Sequence, residues 1–234
     1  MDLNLLSAGA AKGLAEALRA PFHAETGAGI SGTFGAVGTI REQFLANPAC
    51  DVLILTEAML ADLAQRGDIV AGSIAPLGRV HTGIAVRSGQ PHPAIADRAA
   101  LRASLAAAKA LYCPDPERAT AGIHFVKVLR ELGLWPEVAP RLRSYPSGAV
   151  AMGELASTPE PGLVGCTQIT EIRYTPGVEL VGPLPAEFEL ATVYSAAVGS
   201  RARHPELARR LVDMLAGPTA ARLRQAGGFS PIRR

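Results

Sequence analysis

Four times in this chain a short strand-like run ends in a turn of small residues, and each turn opens a segment with helical spacing. The turns are residues 9–13 (Gly9, Ala10, Ala11, Lys12, Gly13), 35–39 (Gly35, Ala36, Val37, Gly38, Thr39), 119–122 (Ala119, Thr120, Ala121, Gly122), and Ser147 with Gly148. Small side chains let a ligand approach the main chain. The first turn of a helix carries N–H groups that have no partner within the helix, and the helix dipole adds positive potential there. Such a site favours an anion. One such turn is an ordinary strand–helix connection. Four of them, spread over both halves of the chain, point to an anion-binding cleft.

The runs between the turns fix the fold class. Residues 3–6, 30–34, 51–55, 83–86, 110–112, 162–164, 178–181 and 190–198 read as strands. Residues 51–55 form a continuous apolar run, as in a strand buried on both faces. Leu14, Leu18 and Phe22, then Leu101 and Leu105, then Phe125, Val128, Leu129 and Leu132, then Leu207, Leu211, Met214 and Leu215 fall at helical spacing. Alternation of strands and helices predicts an α/β chain with mostly parallel sheets. In such sheets ligands sit beyond the carboxyl ends of the strands.

Composition excludes several classes. With 234 residues, 48% hydrophobic and 19% charged, the chain is long enough for two lobes of about 100 residues and has too little charge for disorder. Lys and Arg total 23 against 21 Asp and Glu, and no basic stripe occurs, so no nucleic-acid partner is expected. No apolar run reaches the ~18 residues of a membrane span, so no membrane insertion is expected. Cys50, Cys113 and Cys166 are far apart, which gives neither a disulfide framework nor a zinc pair. The five histidines include no pair at metal spacing, so no metal is expected. The chain as written opens without a secretory leader and is expected in the cytoplasm; had a leader been trimmed, it would be periplasmic.

Motifs of cofactor and hydrolase chemistry are missing. Gly9 and Gly13 do not form a dinucleotide fingerprint, and no phosphate-binding loop, zinc-protease or serine-elbow pattern occurs. No cofactor is expected. Lys12, Arg79 and Arg118 are candidate counter-charges for an anion. His81 and His124 lie near predicted element junctions, where a lone histidine is more often structural, although titration near neutral pH suits either for proton transfer. Cys113 reads as a small buried apolar residue. Glu154 and Glu171 read as surface carboxylates.

Several of these segments, in this order, resemble the molybdate-type periplasmic substrate-binding proteins. The segments are residues 5–11, 34–39 and 50–54, Asp115-Pro116-Glu117 leading to Ala121-Gly122-Ile123, residues 132–135, Gly182-Pro183-Leu184-Pro185, and residues 205–229. Together they cover nearly the whole chain. The resemblance implies an α/β, two-lobe type II periplasmic-binding-protein fold with a ligand cleft between lobes that close by a hinge. Lobe one is expected at residues 1–80 and 190–234, and lobe two at 81–189. It implies a small anionic ligand and, as a transport component, an ABC permease as partner. Members of that family hold an oxyanion with two serines, main-chain N–H groups and a tyrosine. The matching positions here are Ala10, Val37 and Gly165, with Ala121 and Pro146 at the main-chain positions. Three side-chain donors are absent, each worth roughly 1–3 kcal/mol to a buried oxyanion, so a small organic carboxylate fits better than molybdate.

Residues 168–172 and 176–185 look like a divergent branch of that family that includes aconitate isomerases. The branch implies an alternative: an isomerase acting on a small di- or tricarboxylic acid. That chemistry needs an acid, a base and cationic clamps. Lys12, Arg79, His124 and Gln168 are the candidates, with His124 the first choice for proton transfer. The expected ligand-binding set is thus Gly9, Ala10, Ala11, Lys12, Gly35, Ala36, Val37, Arg79, Thr120, Ala121, Gly122, His124, Ser147 and Gln168.

Overall fold

A computed structural model describes residues 1–232. The chain separates into two units, Met1–Val80 with Thr192–Arg234 and His81–Ala191. In the first unit the elements are β1 (Asp2–Ala8), α1 (Lys12–Thr26), β2 (Gly29–Gly35), α2 (Val37–Ala46), β3 (Val52–Thr56), α3 (Glu57–Gln65) and the start of β4 (Ala75–Arg87). The second unit adds α4 (Arg98–Ala107), β5 (Ala110–Pro114), α5 (Thr120–Glu131), α6 (Trp135–Val138), β6 (Leu142–Tyr145), α7 (Gly148–Ser157), β7 (Leu163–Gln168), α8 (Ile169–Tyr174) and β8 (Val178–Pro183). The chain returns to the first unit through β9 (Ala191–Val198) and ends in α9 (Pro205–Ala216) and α10 (Ala221–Gly227).

The first sheet runs β2-β1-β3-β9, with β1 parallel to β2 and β3, and β9 antiparallel to β3. Residues 52–55 of β3 are buried on both faces, as their unbroken apolar run predicts. The core continues into α1 through Leu14, Leu18 and Phe22, and into α9 through Leu211, Val212 and Leu215. The α9 pattern is strongly amphipathic, and Pro205 sits where a missing N–H costs nothing. Buried Asp51 ties distant pieces together: one carboxylate oxygen accepts the N–H of Asn4 at 2.8 Å, the other that of His204 at 3.0 Å.

The second sheet runs β8-β4-β7-β5-β6. Strands β5, β6 and β7 are parallel, while β4 is antiparallel to β7 and β8. The two faces carry separate cores. Ile84, Leu111 and Cys166 pack with α4 and α5 on one side; Ala85 and Tyr112 pack with Met152 and Leu155 of α7 on the other. That is the alternation a strand imposes.

The sheets are mostly parallel, as the alternation predicts, with β4 and β9 running against their neighbours. One expectation needs correction: strand β4 is far longer than residues 83–86. Its first half carries Pro76, Gly78, Arg79 and His81, which hide the strand in an apolar count. Main-chain bonds from Arg79 to Ser230, 2.9 Å and 2.8 Å in the two directions, hold that half extended.

Candidate functional site

The small-residue turns are helix starts, and they divide by whether the chain itself satisfies them. In the first unit, β1 runs into a short 3-10 turn at Gly9–Ala11 and then α1, and neither start has a side-chain cap. Ala10 and Ala11 are buried. Strand β2 ends at Gly35, and α2 starts after Ala36 with no side-chain cap, Val37 taking the first helical position. By contrast α3, which follows β3, is capped by its own Thr56 hydroxyl, which accepts the N–H of Met59.

The second unit repeats the contrast on neighbouring strands. Helix α5 starts after Ala119 without a side-chain cap. The Ala119 N–H bonds to Asp115, and Ile123 N–H returns to Ala119, so the first helical bond begins at Ile123. The N–H groups of Thr120, Ala121 and Gly122 point out of the helix start without an intrahelical acceptor. Gly122 is needed for packing: a Cβ there would lie 2.3 Å from the Asp115 carbonyl oxygen and 2.4 Å from that of Pro114.

Helix α7 is closed from within. Ser147 is its N-cap, and Ser147 Oγ accepts the Val150 N–H at 3.3 Å. The N–H groups of Gly148 and Ala149 donate to the carboxyl of Glu171, which also takes the Gln168 N–H and the Thr167 hydroxyl at 2.6 Å. Glu171 is buried, which corrects its reading as a surface carboxylate. Burial pushes its pKa up from 4.5, against the four hydrogen bonds that pull it down. A Cβ on Gly148 would stand 2.0 Å from both Glu171 Oε2 and Thr167 Oγ1, so the glycine makes room for the carboxyl.

Beside this closed start lies a polar patch with nothing to bond. Gln168 is the last residue of β7 and the N-cap of α8. Its side chain is 3% exposed, yet neither its amide nitrogen nor its oxygen has a partner. Thr82 lies directly opposite it across the β4–β7 ladder. The Thr82 hydroxyl and that of Thr170, the second residue of α8, are likewise buried and unpartnered. Because β5 and β7 are parallel, with Tyr112 beside Gly165, the end of β7 and the loop that opens α5 share the carboxyl edge of the sheet.

Each of the other expected residues has neighbours of its own. His124 is half-buried, and its Nε2 lies 2.7 Å from the Phe188 carbonyl oxygen. The Lys12 ammonium lies 5.9 Å from the Phe34 ring centre. Arg79 is half-buried within β4, and its main chain bridges Ser230. His81 pairs with Glu189 at 2.6 Å. Cys113 is buried, and burial pushes its thiol up to about 12, so at neutral pH it is a neutral core residue. The space that a side chain at Gly165 would need is filled by Met152 and Leu155, at 2.6 Å and 2.8 Å.

Thr82, Thr167, Thr170 and Glu171 were not among the expected residues. The run Thr167-Gln168-Ile169-Thr170-Glu171, polar directly after an apolar strand, was the available signal, and Gln168 with Glu171 has the spacing of a capping box. Thr82 has no local signal, since the strand that pairs it with Gln168 lies 86 positions further on. Among the described residues no cluster of His, Cys, Asp and Glu has the makings of a metal site, and no helix is long and apolar enough to cross a membrane.

Comparison with known proteins places this geometry in a family. The profile described as bacterial extracellular solute-binding protein matches residues 3–230. A curated relative from Pseudomonas sp, named aconitate isomerase, is 28% identical over 194 residues, 82% of this chain and 72% of its own. Among solved structures, the periplasmic molybdate-binding protein of Azotobacter vinelandii superposes with TM-score 0.80 at 20% identity, over 99% of this chain and 100% of that one. The sulfate-binding protein SubI of Mycobacterium tuberculosis gives 0.76 at 17% identity, over 99% and 87%. These likenesses show the fold, that of the periplasmic binding proteins.

Proposed function

This chain belongs to the bacterial extracellular solute-binding proteins, and on that premise we propose that it binds a small anion, best an organic carboxylate, as the binding component of an ABC permease. The observation that carries this reading is the division among helix starts. Those of α1, α2 and α5 follow strands, open with small residues and lack side-chain caps. Those of α3 and α7 are satisfied by Thr56, Ser147 and Glu171. Unsatisfied N–H groups at a helix start, aided by the dipole, are anion donors. Alanine and valine at positions 10 and 37 supply no hydroxyl to a tetrahedral oxyanion, which supports a carboxylate over molybdate.

The test is a calorimetric screen with molybdate, sulfate and di- and tricarboxylates, repeated on Thr120→Pro. Proline is tolerated at the first helical position, and Ala119 already has the extended conformation that proline demands of its predecessor. The substitution deletes the main-chain N–H together with the Thr120 hydroxyl and leaves the helix in place. Affinity for the bound anion should fall about tenfold, since a hydrogen bond to a charged group contributes about 1.5–3 kcal/mol. An affinity unchanged by Thr120→Pro would remove α5 from the site.

The curated relative supports a second reading, an isomerase of a small carboxylic acid. It predicts exchange of a carbon-bound proton of cis- or trans-aconitate with deuterated solvent, followed by NMR. Absence of exchange in the presence of a bound tricarboxylate would leave binding alone.

A further inference from the structure

We propose that Gln168, Thr82 and Thr170 form a recognition surface for a ligand group that donates a hydrogen bond as well as accepting one, such as the hydroxyl of a hydroxycarboxylic acid, and so select against fully deprotonated tetrahedral oxyanions. This deepens the anion-binding reading and rests on it.

Three buried polar side chains without partners in one place are uncommon in a folded protein, where most such groups are paired. Gln168, Thr82 and Thr170 are 3%, 1% and 5% exposed, and all four of their polar side-chain atoms lack a partner. The main-chain groups of Thr82 and the Gln168 N–H have partners of their own. Thr82 N–H bonds to Leu190, the Thr82 carbonyl takes the Leu184 N–H, and the Gln168 N–H goes to Glu171. The side chains therefore face something the chain does not supply.

The donor and acceptor count identifies it. The Gln168 amide offers two N–H donors and a carbonyl acceptor; each threonine hydroxyl donates once and accepts. A molybdate or sulfate ion at neutral pH only accepts. It would satisfy the N–H and O–H groups and leave the Gln168 carbonyl oxygen facing negative charge. A hydroxyl on a carboxylate ligand donates to that oxygen and accepts from the amide or a threonine. Either orientation of the amide presents the same donors and acceptor, because both its atoms are unpaired.

The test compares acids that differ by one hydroxyl, malate with succinate and citrate with tricarballylate, and adds sulfate and molybdate. Calorimetry on the full chain should show the hydroxylated acid of the bound pair at least tenfold tighter, and tighter than either inorganic ion. Gln168→Leu should bring the ratio within each pair to near one. Thr82→Val keeps the shape, and with no ligand present it should melt about 2–4 °C higher, because an unpaired buried hydroxyl is removed. A structural role for Thr82 would instead lower the melting point. If carboxylates bind with no hydroxyl preference, or molybdate binds tighter than all of them, the proposal fails while anion binding stands. If none of the six probes binds, the anion-binding reading fails with it.

Discussion

Helices α5 and α7 follow neighbouring parallel strands of the same sheet, and both open with small residues. They differ in what faces the first N–H groups. At α7 the chain provides its own carboxyl, Glu171, held by two helix-start N–H groups, the Gln168 N–H and the Thr167 hydroxyl. At α5 the N–H groups of residues 120–122 are left without a capping side chain. A small-residue turn before a helix is therefore not in itself a ligand site. On the anion-binding proposal, what separates the two starts is whether a side chain of the chain itself reaches them.

The sharpest way to break this contrast is at Gly148. A Cβ 2.0 Å from Glu171 Oε2 and Thr167 Oγ1 must expel the carboxyl from its donors. Gly148→Ala should cost about 3–5 kcal/mol, the range for disrupting a buried charged network, read as a lower urea midpoint. Next comes Glu171→Ala, which leaves its donors unmet and should cost about 2–4 kcal/mol. It also turns α7 into a second open start on this sheet, beside α5. The melting temperature of that variant should then rise with sulfate concentration more steeply than that of the parent; equal slopes would show that an emptied helix start does not take an anion here.

A smaller effect is the pH dependence. Burial raises the Glu171 pKa above 4.5 in the folded chain, so the native state holds this proton more tightly than the unfolded state. The contribution to stability is fully present below the unfolded value and is lost as pH rises through the raised native one. Relative to the parent, Glu171→Gln should gain stability with rising pH across that window, as followed by denaturation at successive pH values. The smallest effect is expected at His124, whose Nε2 bond to the Phe188 carbonyl ties α5 to a distant loop. His124→Phe should cost about 1 kcal/mol. A larger loss of anion affinity than of stability would place His124 in the anion site.

The fold was legible because apolar periodicity is local. The residues 52–55 run, the α9 face and the glycine stops each state their element within a few positions. Of the candidate site, the uncapped helix starts were legible, since the turns before them are marked by small residues. Glu171 was misread because Gly148 and Ala149, which help to enclose it, belong to another helix, while the local run 167–171 marks a cap without marking burial. Thr82 escaped for the same reason: its neighbour Gln168 is set by strand register, which one sequence does not print. Strand β4 reads short because Pro76, Gly78, Arg79 and His81 interrupt the apolar run of its first half, where Leu77 and Val80 are nonetheless buried and Arg79 bonds to Ser230.

The return of the chain through β9 has a consequence for synthesis. Everything that builds the second sheet has been made by the time residue 183 leaves the ribosome. The first sheet must wait, because β3 lacks its antiparallel neighbour until residues 194–198 arrive. Through that interval a nascent chain carries Val52, Leu53, Ile54 and Leu55 on an unpaired strand edge, the kind of surface that invites pairing with a stranger. The Asp51 carboxylate waits longer still for the His204 N–H. The unit that is first in sequence is thus the last to be completed, and its most apolar strand is the segment a chaperone would have to shield.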